Sequence, residues 1–176
     1  IKESMDAEVI VISMSPEGTQ KGIQQALQMG PDRAILITDP KLKNANSLTT
    51  SKVLSDLINK IEVDYFICGV ESTDGYTGIV PQQVARILRL PCISYIKSAE
   101  VGDDKISAKR QTIFGSETIT IPSKGVLSVT AGGVEPRYPN FKDIMSAKDK
   151  EVEILSLNDL GTDVQNLLEY KEILDA

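Results

Sequence analysis

Along this chain, short unbroken apolar runs alternate with longer stretches in which apolar residues return every three or four positions. Val9-Ile10-Val11-Ile12, Ala34-Ile35-Leu36-Ile37, Tyr65-Phe66-Ile67-Cys68 and Cys92-Ile93-Ser94-Tyr95 are the runs, and each reads as a strand buried on both faces. Between them the spacing predicts helices. One runs from about Thr19 to Met29 and stops at Gly30-Pro31. A second carries Val53, Leu54, Leu57, Ile58 and Ile61, and a third Val80, Val84, Ile87 and Leu88. Strands alternating with helices of this length argue for parallel βαβ units. The pattern changes near Lys97, where Gly102-Asp103-Asp104 and Phe114-Gly115-Ser116 punctuate alternating segments up to Ile121. That stretch reads as an antiparallel meander attached to the parallel sheet. Val126-Leu127-Ser128-Val129 returns to the core, a short helix runs from about Phe141 to Lys148, and Val152-Glu153-Ile154-Leu155 is a last strand. Val164, Leu167, Leu168 and Leu174 mark a weakly amphipathic tail. The expected architecture is α/β: a doubly wound, mostly parallel, Rossmann-like sheet with an antiparallel hairpin extension. Residues 1–161 form the domain and 162–176 a C-terminal helical arm.

Composition narrows the chemistry. The 176 residues are 41% hydrophobic and 25% charged, with a net charge of −6, which suits one soluble domain and argues against general affinity for nucleic acid or anionic membrane. No apolar run reaches the roughly 20 residues needed to span a bilayer. The opening Ile1-Lys2-Glu3-Ser4-Met5-Asp6 lacks the basic and apolar regions of a secretory signal, so the expected residence is the cytoplasm, or an organelle matrix. There is no histidine; with no clustered cysteines either, zinc chemistry and a Ser-His-Asp triad are excluded. Cys68 and Cys92 read as small buried hydrophobes.

Two constellations stand out. Gly69-Val70-Glu71-Ser72-Thr73-Asp74-Gly75-Tyr76-Thr77-Gly78 lies between a strand's end and a helix's start, where open sheets bind ligands and free N–H groups favour a phosphate. It reads equally well as a polar loop whose Asp74 or Thr77 caps the helix. It is neither a Walker loop nor a GxGxxG fingerprint. Glu135-Pro136-Arg137-Tyr138-Pro139, with Phe141 just beyond, reads on residue types as a stiff turn closed by an Arg–Glu bridge. The other reading is an exposed loop presenting an aromatic anchor to a partner. Arg110, Gly115 and Glu117 fit hairpin decoration or an interface equally.

The segment from Gly133 to Lys148, with its Glu-Pro-Arg-Tyr followed by Ile144-Met145-Ser146-Ala147-Lys148, closely resembles a signature of the electron transfer flavoprotein beta subunit family. The Gly69–Gly78 loop is similar to that family's glycine followed by Asp-Gly-x-Thr-Gly, and Gln25 to Ala34 to its Ala-Leu-x-Met-Gly-Ala-Asp stretch. The matches lie in order across residues 8 to 161. The resemblance implies an adenine nucleotide alpha hydrolase-like fold and a heterodimer with an alpha subunit that holds most of an FAD. This subunit would bind AMP, or a second FAD, through Met14, Gly69, Val70, Glu71, Ser72, Asp74, Gly75, Tyr76, Thr77 and Gly78. Acyl-CoA or other flavin dehydrogenases would dock on Glu135, Pro136, Arg137, Tyr138 and Phe141, with Arg110 and Gln111 facing the flavin. Gln111 stands beside Arg110 where many members carry an acid, and Lys124 replaces a common proline. Family members open with a further strand, loop and helix, so the resemblance also implies that this chain lacks that unit and part of the nucleotide pocket.

The expected function is therefore an electron-carrying subunit that is not catalytic alone, resident in the cytoplasm, or in the mitochondrial matrix of a eukaryote. A stand-alone adenine-nucleotide sensor using the same loop is the second reading. An adenylate-forming or amidohydrolase-type enzyme ranks lowest, for want of a nucleophile–base pair.

Overall fold

The computed structural model describes residues 6–102, 104–133, 136 and 138–164. They gather into two compact units, one drawing on residues up to Ala45 and from Pro136 onward, the other on the residues between.

In the first unit, β1 (Ile10–Ser15), β2 (Arg33–Thr38) and β8 (Val152–Leu155) form a parallel three-stranded sheet in the order β1-β2-β8. The central strand carries the continuous Ala34–Ile37 run, wholly buried, as a strand covered on both faces requires. Its neighbours are α1 (Lys21–Leu27) and α4 (Phe141–Ser146). Ile23 and Leu27 from α1 pack with Ala34, Leu36 and Ala147 into one core cluster. Lys150 Nζ donates to the Leu27 carbonyl at 3.0 Å, satisfying a carbonyl that the helix end leaves open. Asn140 caps α4, its Oδ1 accepting from the Asp143 N–H at 2.8 Å.

The second unit holds a five-stranded sheet in the order β3-β7-β4-β5-β6: β3 (Tyr65–Gly69), β4 (Cys92–Val101), β5 (Lys105–Thr112), β6 (Gly115–Pro122) and β7 (Gly125–Val129). β3 and β4 flank β7 in parallel, while β4, β5 and β6 run antiparallel. α2 (Ser47–Ile61) and α3 (Val80–Leu88) lay Ile58, Val84 and Ala85 against Val126, with Leu54, Phe66 and Cys92 around them. Alternate residues build a second cluster of Ile93, Ile96, Ile106, Ala108, Ile121 and Leu127, because successive side chains of a strand point to opposite faces. Between the helices the Ser51 hydroxyl lies 2.9 Å from Gln83 Oε1 and donates to the Ser47 carbonyl at 2.7 Å, so a buried polar group is satisfied.

The α/β class, the parallel strands and the antiparallel extension agree with the pattern of the sequence. One junction differs. The spacing suggests a strand ending at Tyr95 and a separate meander, whereas β4 runs unbroken to Val101 with a register shift between Ile93 and Ile96. Tyr95 takes φ +62° there, and its N–H turns to the Ser128 hydroxyl at 3.4 Å. This bulge lets one strand serve a parallel neighbour along its first half and an antiparallel one along its second. A short helix, α5 (Leu157–Leu160), also escaped the pattern; Ser156 and Asp159 close a capping box around it.

Candidate nucleotide-binding edge and contact surfaces

Because β3, β7 and β4 are parallel, Gly69, Val129 and Ile96 end at the same edge of the sheet, paired in register across Val129. The loops after β3 and after β7 therefore leave side by side. The second folds back tightly: a Cβ on Gly133 would lie 3.1 Å from the Ile96 carbonyl oxygen and 3.2 Å from Lys97 Cα, so only glycine fits.

Within the Gly69–Gly78 loop, Ser72 is the organiser. Its hydroxyl accepts from the Gly75 N–H at 3.3 Å, and its carbonyl accepts from the Tyr76 N–H at 3.2 Å. The same hydroxyl, hydrogen-bonded to Asp74, holds that carboxyl below its ordinary value; backbone N–H groups of Asp74 and Gly75 act in the same direction. Tyr76 and Gly78 both adopt left-handed backbone, at φ +48° and +62°, and residues from Glu71 to Thr77 are exposed. Tyr76 N–H, expected as a phosphate donor, is thus committed to the turn. Among the described residues no hydrogen bond runs from the Thr77 or Gly78 N–H.

α3 begins behind this loop without a side-chain cap on Ile79. In place of a cap, the Gln82 amide, oriented by its partners, donates to the Gly78 and Ile79 carbonyls at 3.1 Å and accepts from the Ser94 hydroxyl at 3.1 Å. Gln82 and Ser94 tie the loop to β4. Neither was singled out from the sequence, although a glutamine in the first helical turn is a known reach-back residue.

The other expected residues lie elsewhere. Met14 sits half-buried on β1 in the first unit, opposite Ile37. Arg110 and Glu117 face each other across β5 and β6 and form an ion pair with Nε–Oε1 2.6 Å. Gln111 Oε1 accepts from Lys97 Nζ at 3.1 Å and from the Ser116 hydroxyl at 3.2 Å. Beyond them the hairpin tip exposes Ile113 (92%) and Phe114 (94%). Of the expected docking residues, Glu135 and Arg137 lie outside the described residues, as do Leu167, Leu168 and Leu174 of the expected arm. Tyr138 (93%) and Phe141 (79%) are exposed, and Met145 stands one helical turn from Phe141 on α4, itself half exposed. Both cysteines are free thiols. The Cys68 thiol donates to the Leu127 carbonyl at 3.6 Å, and burial, with a smaller contribution from Cys92, pushes its pKa up to about 12. No helix among the described residues is long and apolar enough to cross a membrane.

An α/β chain with a glycine-bearing loop at the carboxyl edge of parallel strands, in front of an uncapped helix, belongs to the class of proteins built to present backbone donors to a ligand. The electron transfer flavoprotein domain family matches residues 1–160, and the chain belongs to that family. It is 36% identical to the electron transfer flavoprotein subunit beta of Thermoanaerobacterium thermosaccharolyticum over 95% of its own length and 65% of that protein's. With the subunit beta of Mycobacterium leprae it shares 35% identity over 94% of this chain and 64% of the relative. With the caffeyl-CoA reductase-Etf complex subunit CarD of Acetobacterium woodii the figures are 31%, 90% and 61%. The chain thus spans somewhat less than two thirds of the length of these relatives.

Proposed function

We propose that this chain acts as the beta subunit of an electron transfer flavoprotein, a carrier subunit that is not catalytic alone. The family match over residues 1–160 carries the reading. In it, the Gly69–Gly78 edge holds an adenine nucleotide, AMP or a second FAD, with Met14 contributing from β1. The loop suits a phosphate in three respects: the uncommitted N–H groups of Thr77 and Gly78, the Thr77 hydroxyl, and the partial positive charge of the α3 N-terminus. Gly69 adds room, its nearest obstacle for a Cβ being the Glu71 carbonyl at 3.6 Å. The FAD of the assembled protein supplies the electron-accepting and electron-donating chemistry. This chain's part is to bind, orient and dock.

An alpha subunit bearing that FAD is the first partner in this reading, with the β5–β6 hairpin around Arg110 and Gln111 facing it. Acyl-CoA or other flavin dehydrogenases are the second, docking on residues 135–141 with Phe141 as apolar anchor. The arm 162–176 packs on the alpha subunit, and the assembly works in the cytoplasm or a mitochondrial matrix. Co-expression with a candidate alpha chain tests the reading directly. The expected result is a yellow heterodimer that passes electrons from a reduced dehydrogenase to a dye acceptor. A colourless chain that binds AMP and assembles with nothing would favour the nucleotide sensor.

A further inference from the structure

We propose that Glu71 acts as a charge filter, restricting the Gly69–Gly78 site to nucleotides that carry a single phosphate; the inference rests on the reading of that loop as an adenine-nucleotide site. Glu71 Oε2 lies 3.7 Å from the point a Cβ on Gly78 would occupy. Its carboxylate therefore hangs over the residue just ahead of the α3 N-terminus, where an incoming phosphate finds the Gly78 N–H. A second carboxylate, Asp74, is held in the same loop by Ser72.

Nothing cationic offsets the pair locally. Between Gly69 and Ala85 the chain carries no lysine or arginine. Lys97, one residue past the end of the Ile96–Val129 pairing at the same sheet edge, spends its ammonium on Gln111 Oε1 at 3.1 Å. The attractive side of the site is limited to a few backbone N–H groups, a hydroxyl and a helix terminus. Such donors balance one phosphate. Each further phosphate adds negative charge beside two carboxylates with no cation to meet it, and like charges a few ångströms apart repel strongly. Glycine at position 78 is what brings ligand and carboxylate so close, since φ +62° admits no ordinary side chain there.

The test is calorimetric titration of the full encoded protein and its Glu71→Gln variant with adenosine, AMP, ADP and ATP in magnesium-free, low-salt buffer. Wild type is expected to bind AMP at least ~10-fold more tightly than ADP. Glu71→Gln keeps the shape and removes the charge; it should raise ADP and ATP affinity by roughly 10-fold or more, AMP affinity by less, and leave adenosine unchanged. Glu71→Lys should extend the same order, and added salt should shrink it. If wild type binds AMP but Glu71→Gln shifts all four ligands equally or not at all, the filter is wrong and the nucleotide site stands. If neither protein binds any of the four, the nucleotide reading falls and the filter with it.

Discussion

The two halves of the five-stranded sheet handle polar groups in opposite ways. In the antiparallel half each polar side chain meets a partner across the ladder: Arg110 with Glu117, Ser107 with Thr120 at 2.8 Å, and Lys97 with Gln111. What remains free at the tip is apolar, Ile113 and Phe114. In the parallel half the strands cannot be joined by tight turns, so their loops are delivered to one edge with backbone N–H groups and carboxylates unspent. Connectivity alone thus separates a reactive edge from a hairpin whose charges are already used.

The strongest way to break that contrast is Gly78→Glu. It forces a side chain into left-handed backbone and sets a second acid against Glu71. AMP affinity should fall at least ~100-fold, or ~2.7 kcal/mol, with the hairpin unaffected; unchanged binding by calorimetry would remove the loop from the site. Phe141→Ala probes a different exposed surface. A buried aromatic anchor contributes about 2 kcal/mol to an interface, so the apparent dehydrogenase affinity should drop roughly 30-fold by steady-state kinetics while AMP binding holds. Equal kinetics would show that Phe141 is not part of the docking surface.

The third prediction concerns pH and belongs to the parallel half. The Cys68 thiol, ordinarily near 9.0, is pushed up to about 12, so the folded chain keeps a proton that the unfolded chain releases. Below pH 9 both states hold it and this contribution is fully present; as pH rises from 9 toward 12 it is lost. Denaturant titrations at pH 8 and 10 should differ by about 1 kcal/mol, allowing for partial exposure, and Cys68→Ala should flatten the difference. Staying at or below pH 10 limits the contribution of Tyr65, whose phenol burial and Asp64 push above its ordinary value. Smallest is the Arg110–Glu117 pair: a double-mutant cycle to alanine should return ~0.2–1 kcal/mol, decreasing with salt, and no change in AMP affinity. A coupling several times larger would mean the hairpin charges do more than pair with each other.

Much of this was readable from residue order. The apolar runs at Ala34–Ile37 and Val126–Val129 became the buried centres of their sheets, because a run without alternation has to be covered on both faces. The Asp-Gly-x-Thr-Gly stretch came out as the exposed loop ahead of α3 for the same reason: its residues make neither period. The bulge was not legible, since nothing about an aromatic residue announces φ +62° at Tyr95. Neither was the brace of Gln82 to Ser94, which depends on β4 lying two strands from β3 although it follows α3 directly in sequence. The approach of Glu71 to Gly78 is likewise a product of the turn that Ser72 closes.

β3 ends its sheet, and among the described residues no strand pairs with its outer side. Tyr-Phe-Ile-Cys-Gly offers there no charge, no proline and no bulge, and Ile67 is 45% exposed. At the opposite end β6 carries Glu117 and Pro122, devices that discourage a stray strand. The isolated chain therefore has one sticky margin and one guarded one. Its handling in solution follows: self-association should grow with concentration, begin at Tyr65–Gly69, and yield to a single lysine placed at Ile67.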